Sequence, residues 1–305
     1  MSFVQILLTV AGLSLFEIIS SIDNAIINAE VLLTMGEKAR RWFLVWGLFF
    51  AVFTIRGLLP WLIIWATTPE LGPMGALTAT FSNDPRIKDV IEASAPILLA
   101  GGGIFLIFLF FHWLFIEEKH YGLPGERFIH KQGVWFYAII SIILTAVVWF
   151  ALQQTPMMAF GAVVGSTAFF ITHGFKQNAE QSEKELMEKK MSDISKILYL
   201  EVIDATFSID GVLGAFAFTL SVPLILLGNG IGAFVVRELT IGNIERVKKY
   251  VFLKNGAMYS VLFLGIIMIA DAFRFHIPSW FSPVITFGVI GFFFYKSKLK
   301  LSEQI

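Results

Sequence analysis

The stretch Ile97-Leu-Leu-Ala-Gly-Gly-Gly-Ile-Phe-Leu-Ile-Phe-Leu-Phe-Phe-His-Trp-Leu-Phe-Ile116 contains no Asp, Glu, Lys or Arg in twenty residues. At helical rise such a segment covers the ~30 Å hydrocarbon core of a bilayer. Working outward from it, segments of the same kind recur along the chain. The spans predicted are 3–32, 42–66, 92–116, 134–153, 155–174, 197–220, 222–239, 256–273 and 280–296. The fourth and fifth are separated by little more than Gln154, and the sixth and seventh meet at Ser221–Pro223. Composition agrees: 56% of the 305 residues are hydrophobic, only 15% are charged, 32 are Phe, and mean hydropathy is +0.75. A soluble domain of this length would need far more charge to cover its surface. The expected class is therefore all-α, a polytopic transmembrane bundle of about nine spans with the lipid bilayer as its main partner. The N-terminal segment carries no charged residue before Glu17 and runs on to Leu33. It reads as a first span and not as a cleaved leader, which would begin with basic residues.

Basic residues set the orientation. The loops after the first, third, fifth, seventh and ninth spans hold eighteen Lys and Arg, the alternate loops only Arg86, Lys88 and Arg274. The positive-inside rule then places the N-terminus outside and the C-terminus in the cytoplasm. The charged segment 175–196 is expected to be a cytoplasmic amphipathic or mobile connector, and 67–91 an outer loop carrying Glu70, Asp84 and Asp89. Net charge is zero, which gives no field for nucleic acid. The absence of Cys excludes disulfides, thiolate metal sites and iron–sulfur clusters.

Two spans carry acids at membrane depth. The first reads Glu17-Ile-Ile-Ser-Ser21-Ile-Asp23-Asn24, the sixth Asp204-Ala-Thr-Phe-Ser208-Ile-Asp210-Gly211, with Glu201 one turn earlier. Both fit acid-x3-Ser-Ile-Asp, and each is followed by a span with one arginine, Arg56 and Arg237. The offset is five spans, so the two copies run in opposite directions across the bilayer. That is the signature of an inverted-repeat transporter, with its site at the repeat interface. The organisation expected is a first repeat over 1–116 (spans 1–3), connecting spans 4 and 5 with the charged loop over 117–196, a second repeat over 197–273 (spans 6–8), and a last span and tail over 274–305.

Intramembrane charge costs at least ~2.5–3.5 kcal/mol per residue on insertion scales. Glu17, Asp23, Glu201, Asp204 and Asp210 against Arg56 and Arg237 leave a formal charge of −3, which protons or a bound cation must balance. Glu17, Ser21, Asn24 and Asn28 share one helical face; Glu201, Asp204 and Ser208 share another. Asp23 and Asp210 each lie six residues beyond the first acid of their copy, about 240° round a regular helix. They join the others only if the helix bends, for which Ser20–Ser21 and Ser208 or Gly211 are the places. Carboxylates, Asn24, Asn229, hydroxyls and backbone carbonyls are hard oxygen donors that suit Mg²⁺, Ca²⁺ or Mn²⁺. His112 and His173 fit no ligand spacing with the acids and read as structural. Gly101–Gly103 reads as helix packing.

The segment Glu201-Val-Ile-Asp204-Ala-Thr-Phe-Ser208-Ile-Asp210, with Asn229 and Arg237 eight residues apart and Ser-Ile-Asp23-Asn24 in the first span, resembles the TerC/Alx family of bacterial membrane proteins. The similarity is good over about 1–60 and 197–275. It implies a multi-pass protein of the bacterial inner membrane that handles divalent metal, chiefly by manganese efflux, with an association with tellurium resistance. Carried onto this chain, it makes Glu17, Asp23, Asn24, Glu201, Asp204 and Asp210 the metal-site candidates. Arg237 and Arg56 become supporting or gating residues, beside Asn229, Ser21 and Ser208. The chain departs from the family at Gly211, where TerC-type sequences tend to carry a hydroxyl residue. No organic cofactor is expected; Mn²⁺ is the favoured cargo, with Ca²⁺ and Mg²⁺ as alternatives.

Two other functional classes fit less well. An intramembrane aspartyl protease could use Asp23 and Asp210, but its Gly-x-Gly-Asp pattern is replaced by Ser208-Ile209-Asp210. Gly165-Ser166 and His173 lie on one helix, and no His-Glu-x-x-His occurs, so the chain is not expected to be an enzyme. A membrane scaffold with structural ion pairs would use the loop 175–196 instead of the acids. Protein partners are left open, a homo-oligomer among them.

Overall fold

A computed structural model describes residues 2–47, 50, 57–78, 85–188, 192–242 and 247–302. Among these the architecture is all-helical, with no strand. The helices are α1 (Phe3–Ser20), α2 (Ile22–Leu33), α3 (Glu37–Trp42), α4 (Leu59–Thr67), α5 (Gly72–Thr78), α6 (Pro85–Phe115), α7 (Glu126–His130), α8 (Phe136–Gln154), α9 (Pro156–Glu188), α10 (Asp193–Ala215), α11 (Val222–Gly242), α12 (Leu253–Ala272) and α13 (Phe281–Ser302). Six described segments are long and apolar enough to cross a membrane: α1, Ala93–Phe115 of α6, Gly133–Gln154, Pro156–Phe175 of α9, Val222–Thr240 of α11, and α12. This is consistent with a multi-pass membrane protein. Helix α10 carries the acids Glu201, Asp204 and Asp210, and α13 ends in Lys296, Lys298 and Lys300.

Local chemistry sets the helix ends. Ser2 and Gln5 close a reciprocal capping box at α1, the Ser2 N–H donating to Gln5 Oε1 at 2.7 Å. Helix α8 ends at Gln154 and α9 begins at Pro156, whose missing N–H costs nothing in a first turn. Thr155 between them accepts from the Met158 N–H at 3.2 Å. Ser192 caps α10 by accepting from the Ser195 N–H at 3.3 Å, and Asp193 follows in the positive end of the helix dipole.

Helix α6 is the axis of the bundle: 83% of its apolar span is buried, against 17% for Gly133–Gln154. Glycine lets its neighbours come to backbone distance, the packing that membrane helices favour. A methyl group at Gly101 would meet the Gly161 carbonyl of α9 at 2.7 Å, and one at Gly103 the Gly265 carbonyl of α12 at 3.0 Å. Gly165 is tighter still, because its Cβ would run into the Gly101 backbone. Gly165→Ala is therefore expected to lower stability by ~1–3 kcal/mol, the cost of overpacking. Thermal unfolding in detergent checks this; an unchanged midpoint would show that α6 and α9 can separate freely. Around this core, α8 turns Ile142, Trp149, Phe150 and Leu152 outward, an apolar face suited to lipid.

Two segments expected as connectors contain helix. In segment 175–196, α9 continues without a break to Glu188. The run Ala-Glu-Gln-Ser-Glu-Lys-Glu-Leu-Met-Glu is made largely of strong helix formers, which carry the helix beyond its apolar part. The segment 67–91 likewise holds a 3₁₀ turn at Pro69–Leu71 and α5, and α6 starts at Pro85, seven residues before the predicted span.

Candidate functional site

The first acidic segment lies on a helix interrupted at one residue. Helix α1 ends at Ser20, Ser21 takes φ −91° and ψ 2°, and α2 restarts at Ile22. Serine hydroxyls compete with the helical ladder here: Ser20 Oγ donates to the Glu17 carbonyl at 3.3 Å, and Ser21 Oγ donates to Glu17 Oε1 at 2.8 Å. The predicted bend at Ser20–Ser21 is thus present. Its counterpart is not, because α10 passes through Ser208 and Gly211 unbroken. Ser208 Oγ instead folds back on the Asp204 carbonyl at 2.5 Å.

Glu17 is only 1% exposed, and glycines make the space it fills. Ideal Cβ atoms at Gly211 of α10 and Gly232 of α11 would lie 2.9 Å from Glu17 Oε2 and 2.6 Å from Glu17 Cβ. Gly211, which follows Asp210 directly, is thus one of the two residues that admit this carboxylate. One turn before Glu17, Ser14 Oγ donates to the Gly228 carbonyl at 2.9 Å, and Gly228 packs on Leu13. Next to Gly228, Asn229 is fully buried with neither amide atom hydrogen-bonded among the described residues. Helices α1, α10 and α11 therefore meet around Glu17.

The loop end of the same assembly is tied by hydrogen bonds distant in sequence. The Gly36 N–H donates to Asp193 Oδ2 at 3.1 Å, and Lys196 Nζ donates to the Thr34 carbonyl and hydroxyl at 3.0 and 2.9 Å. Arg40 closes the C-terminal end of α2 through the Leu32 and Met35 carbonyls. Val31, Leu32, Met35, Phe43 and Leu200 form a small core beneath. These contacts fix the start of α10 against the end of α2.

The acids of α10 then face different neighbours. Glu201 Oε1 is buried without a hydrogen-bond partner among the described residues and presses on Gly47, at the end of a π-helical turn over Phe43–Gly47. Nine residues on, about 13 Å along the axis, Asp210 borders a cavity of about 50 Å³ with Ser20, Glu117 and Lys254. Asp204 is half-buried between them. Arg237 is half-buried, with its Nε unpaired among the described residues. Arg56 and the side chains of Asp23 and Asn24 lie outside the described residues. Within those described, no three His, Asp or Glu side chains are arranged to hold a metal ion. Glu17, Ser20, Ser21 and the Asp210–Gly211 step come together; Glu201 does not join them.

Several residues near this site are not assigned to it by their spacing in the sequence. His112 of α6 and His173 of α9 are not isolated: their rings lie 3.9 Å apart. His112 Nδ1 is 3.4 Å from Glu117 Oε1, and Glu117 Oε2 is 3.0 Å from Lys254 Nζ. Lys254 is the second residue of α12, where the helix dipole disfavours a cation. Glu126 is 2% exposed and accepts from the Gly122 N–H at 2.7 Å, Asn255 Nδ2 at 3.1 Å and the Tyr259 hydroxyl at 3.0 Å. It pins the loop after α6. Lys119 donates to the Leu114 carbonyl at 2.5 Å and to that of Trp113, capping α6. Burial holds its ammonium down to about 8, partly offset by Glu126 and Glu117.

A family model described as a protein of unknown function, DUF475, matches residues 22–303. The chain belongs to the DUF475 family. No curated protein and no solved structure matches it. The DUF475 match takes in α2 to α13 whole, so Asp204, Asp210, Gly211, Asn229, Glu117 and Lys254 fall within it, while Glu17 and Ser21 lie just before its start.

Proposed function

We propose that this DUF475 protein is a divalent-cation transporter of the bacterial inner membrane, and that its cargo is Mn²⁺, exported from the cytoplasm. In this reading nine spans cross the bilayer, N-terminus outside and C-terminus inside, and spans 1–3 and 6–8 form an inverted repeat. One observation carries it: Glu17, buried and seated against Gly211 and Gly232, brings the two acid-bearing segments into one interior. A carboxylate that far from water needs a balancing cation. The resemblance of both segments to TerC/Alx proteins supports the choice of metal, as do the hard oxygen donors. The buried amide of Asn229, unpaired among the described residues, supplies an oxygen donor without a competing partner.

The chemistry is that of alternating access. Entering cation displaces protons from the carboxylates around Glu17 and Asp210, and reprotonation from the far side releases it. Influx of Mn²⁺ into liposomes holding a quenchable fluorophore tests the proposal. The expected result is flux that falls at least ~100-fold in Asp210→Ala, since even outer-shell changes cost 10–100-fold at metal sites. Equal flux in Asp210→Ala and the parent would overturn it.

A further inference from the structure

Two cavities meet at Lys254. The inner one, about 50 Å³, has Asp210, Ser20 and Glu117 among apolar walls from Phe16, Leu109 and Val261. The outer one, about 210 Å³, lies between loop residues Glu118, Lys119 and His120 on one side and Val247, Lys248 and Val251 on the other. Glu118, His120 and Lys248 are exposed, so its rim is at the surface. Ile22 and Lys254 line both cavities, and they therefore form the partition. The Lys254 ammonium sits 3.0 Å from Glu117, which also lines the inner cavity. A lysine in the first turn of a helix works against the helix dipole, so it is the acid facing it that favours its charge there.

We propose that the Lys254–Glu117 ion pair is the gate between the loop-side vestibule and the Asp210 cavity, with the Lys254 ammonium taking the place of the cation when none is bound. This rests on the cation-transport reading and deepens it. A tethered cation neutralises the acid cavity while it is empty, and an arriving divalent ion must displace it. Vacating the site draws the lysine back to Glu117. The pair is then closed when empty and open when loaded, which suits one face of an alternating-access cycle. Ile22 follows directly on the interruption at Ser21, so the apolar half of the partition sits on the one bend in the first span.

The absence of native cysteine makes the test clean. Ser20→Cys puts a single thiol in the inner cavity of the full chain in lipid nanodiscs. Its reaction with N-ethylmaleimide, an uncharged reagent, reports opening. Labelling is expected to be slow in this background and in Lys254→Arg. In Lys254→Gln and in Glu117→Gln it should rise about tenfold, the population shift that ~1.4 kcal/mol of lost closure gives. Unchanged rates in both variants would overturn the gate. Should either variant also label faster at a buried control thiol, Ile104→Cys, the exchanged pair Glu117→Lys with Lys254→Glu decides. Slow labelling restored there supports the gate, and labelling that stays fast contradicts it. Adding Mn²⁺ separates the two readings. If the gate responds to the substitutions but millimolar Mn²⁺ changes no rate, the gate stands and the cation reading fails.

Discussion

Gly232→Leu is expected to abolish Mn²⁺ flux and to destabilise the protein at the same time. The first added carbon would stand 2.6 Å from Glu17 Cβ and 2.8 Å from the Ser14 carbonyl, both well inside contact distance. Neither neighbour can give way easily. Ser14 is held to Gly228 by its own hydroxyl at 2.9 Å, and Leu13 is packed on Gly228 one turn below. Glu17 would have to move toward Gly211, against which its carboxylate is already seated. Overpacking of this kind costs ~1–3 kcal/mol or more, and it would pull the carboxylate from the Ser21 hydroxyl. Denaturation in detergent and the liposome assay, run on the same preparation, check both halves. A variant that loses stability but transports normally would place the cation path away from Glu17.

Glu17→Gln is expected to separate stability from function. The amide keeps the shape and can still accept from Ser21 Oγ, which now donates to Glu17 Oε1 at 2.8 Å. It removes a charge from a position 1% exposed. A buried charge kept for a passing cation carries a desolvation cost, which a neutral amide of the same shape removes. If the carboxylate exists to hold a passing cation, the variant unfolds at the same or a higher temperature while flux falls at least ~100-fold. If it exists to lock helices through an ion pair, breaking the pair costs ~3–5 kcal/mol and stability drops. The two measurements move in opposite directions under the two accounts.

The sequence made the helical class and the meeting of the acid segments readable for physical reasons. Unbroken apolar runs such as 97–116 have only one solvent that suits them, and an acid-x3-Ser-Ile-Asp pattern that occurs twice points to a common interface. The bend at Ser21 was legible because paired serines carry their own competing hydrogen bonds. The matching bend at Ser208 is absent because a lone serine satisfied by the Asp204 carbonyl leaves the ladder intact. With α10 unbroken, nine residues separate Glu201 from Asp210, and the two address different neighbours. Glu117, Lys254 and the His112–His173 contact could not be found by spacing, since more than sixty residues separate each pair. The role of Gly211 has no signal of its own in the sequence. Its meaning depends on Glu17, almost two hundred residues earlier, filling the space.

The claim beneath these expectations is that Glu17 and Asp210 serve one cation from two helices. Titrating Mn²⁺ into the purified chain in nanodiscs, with the free ion followed by its paramagnetic resonance signal, tests it most directly. The account predicts one ion bound per chain, with affinity lost in Glu17→Gln and in Asp210→Asn alike and no further loss in the double variant beyond the weaker single. Full binding retained in either single variant would contradict it.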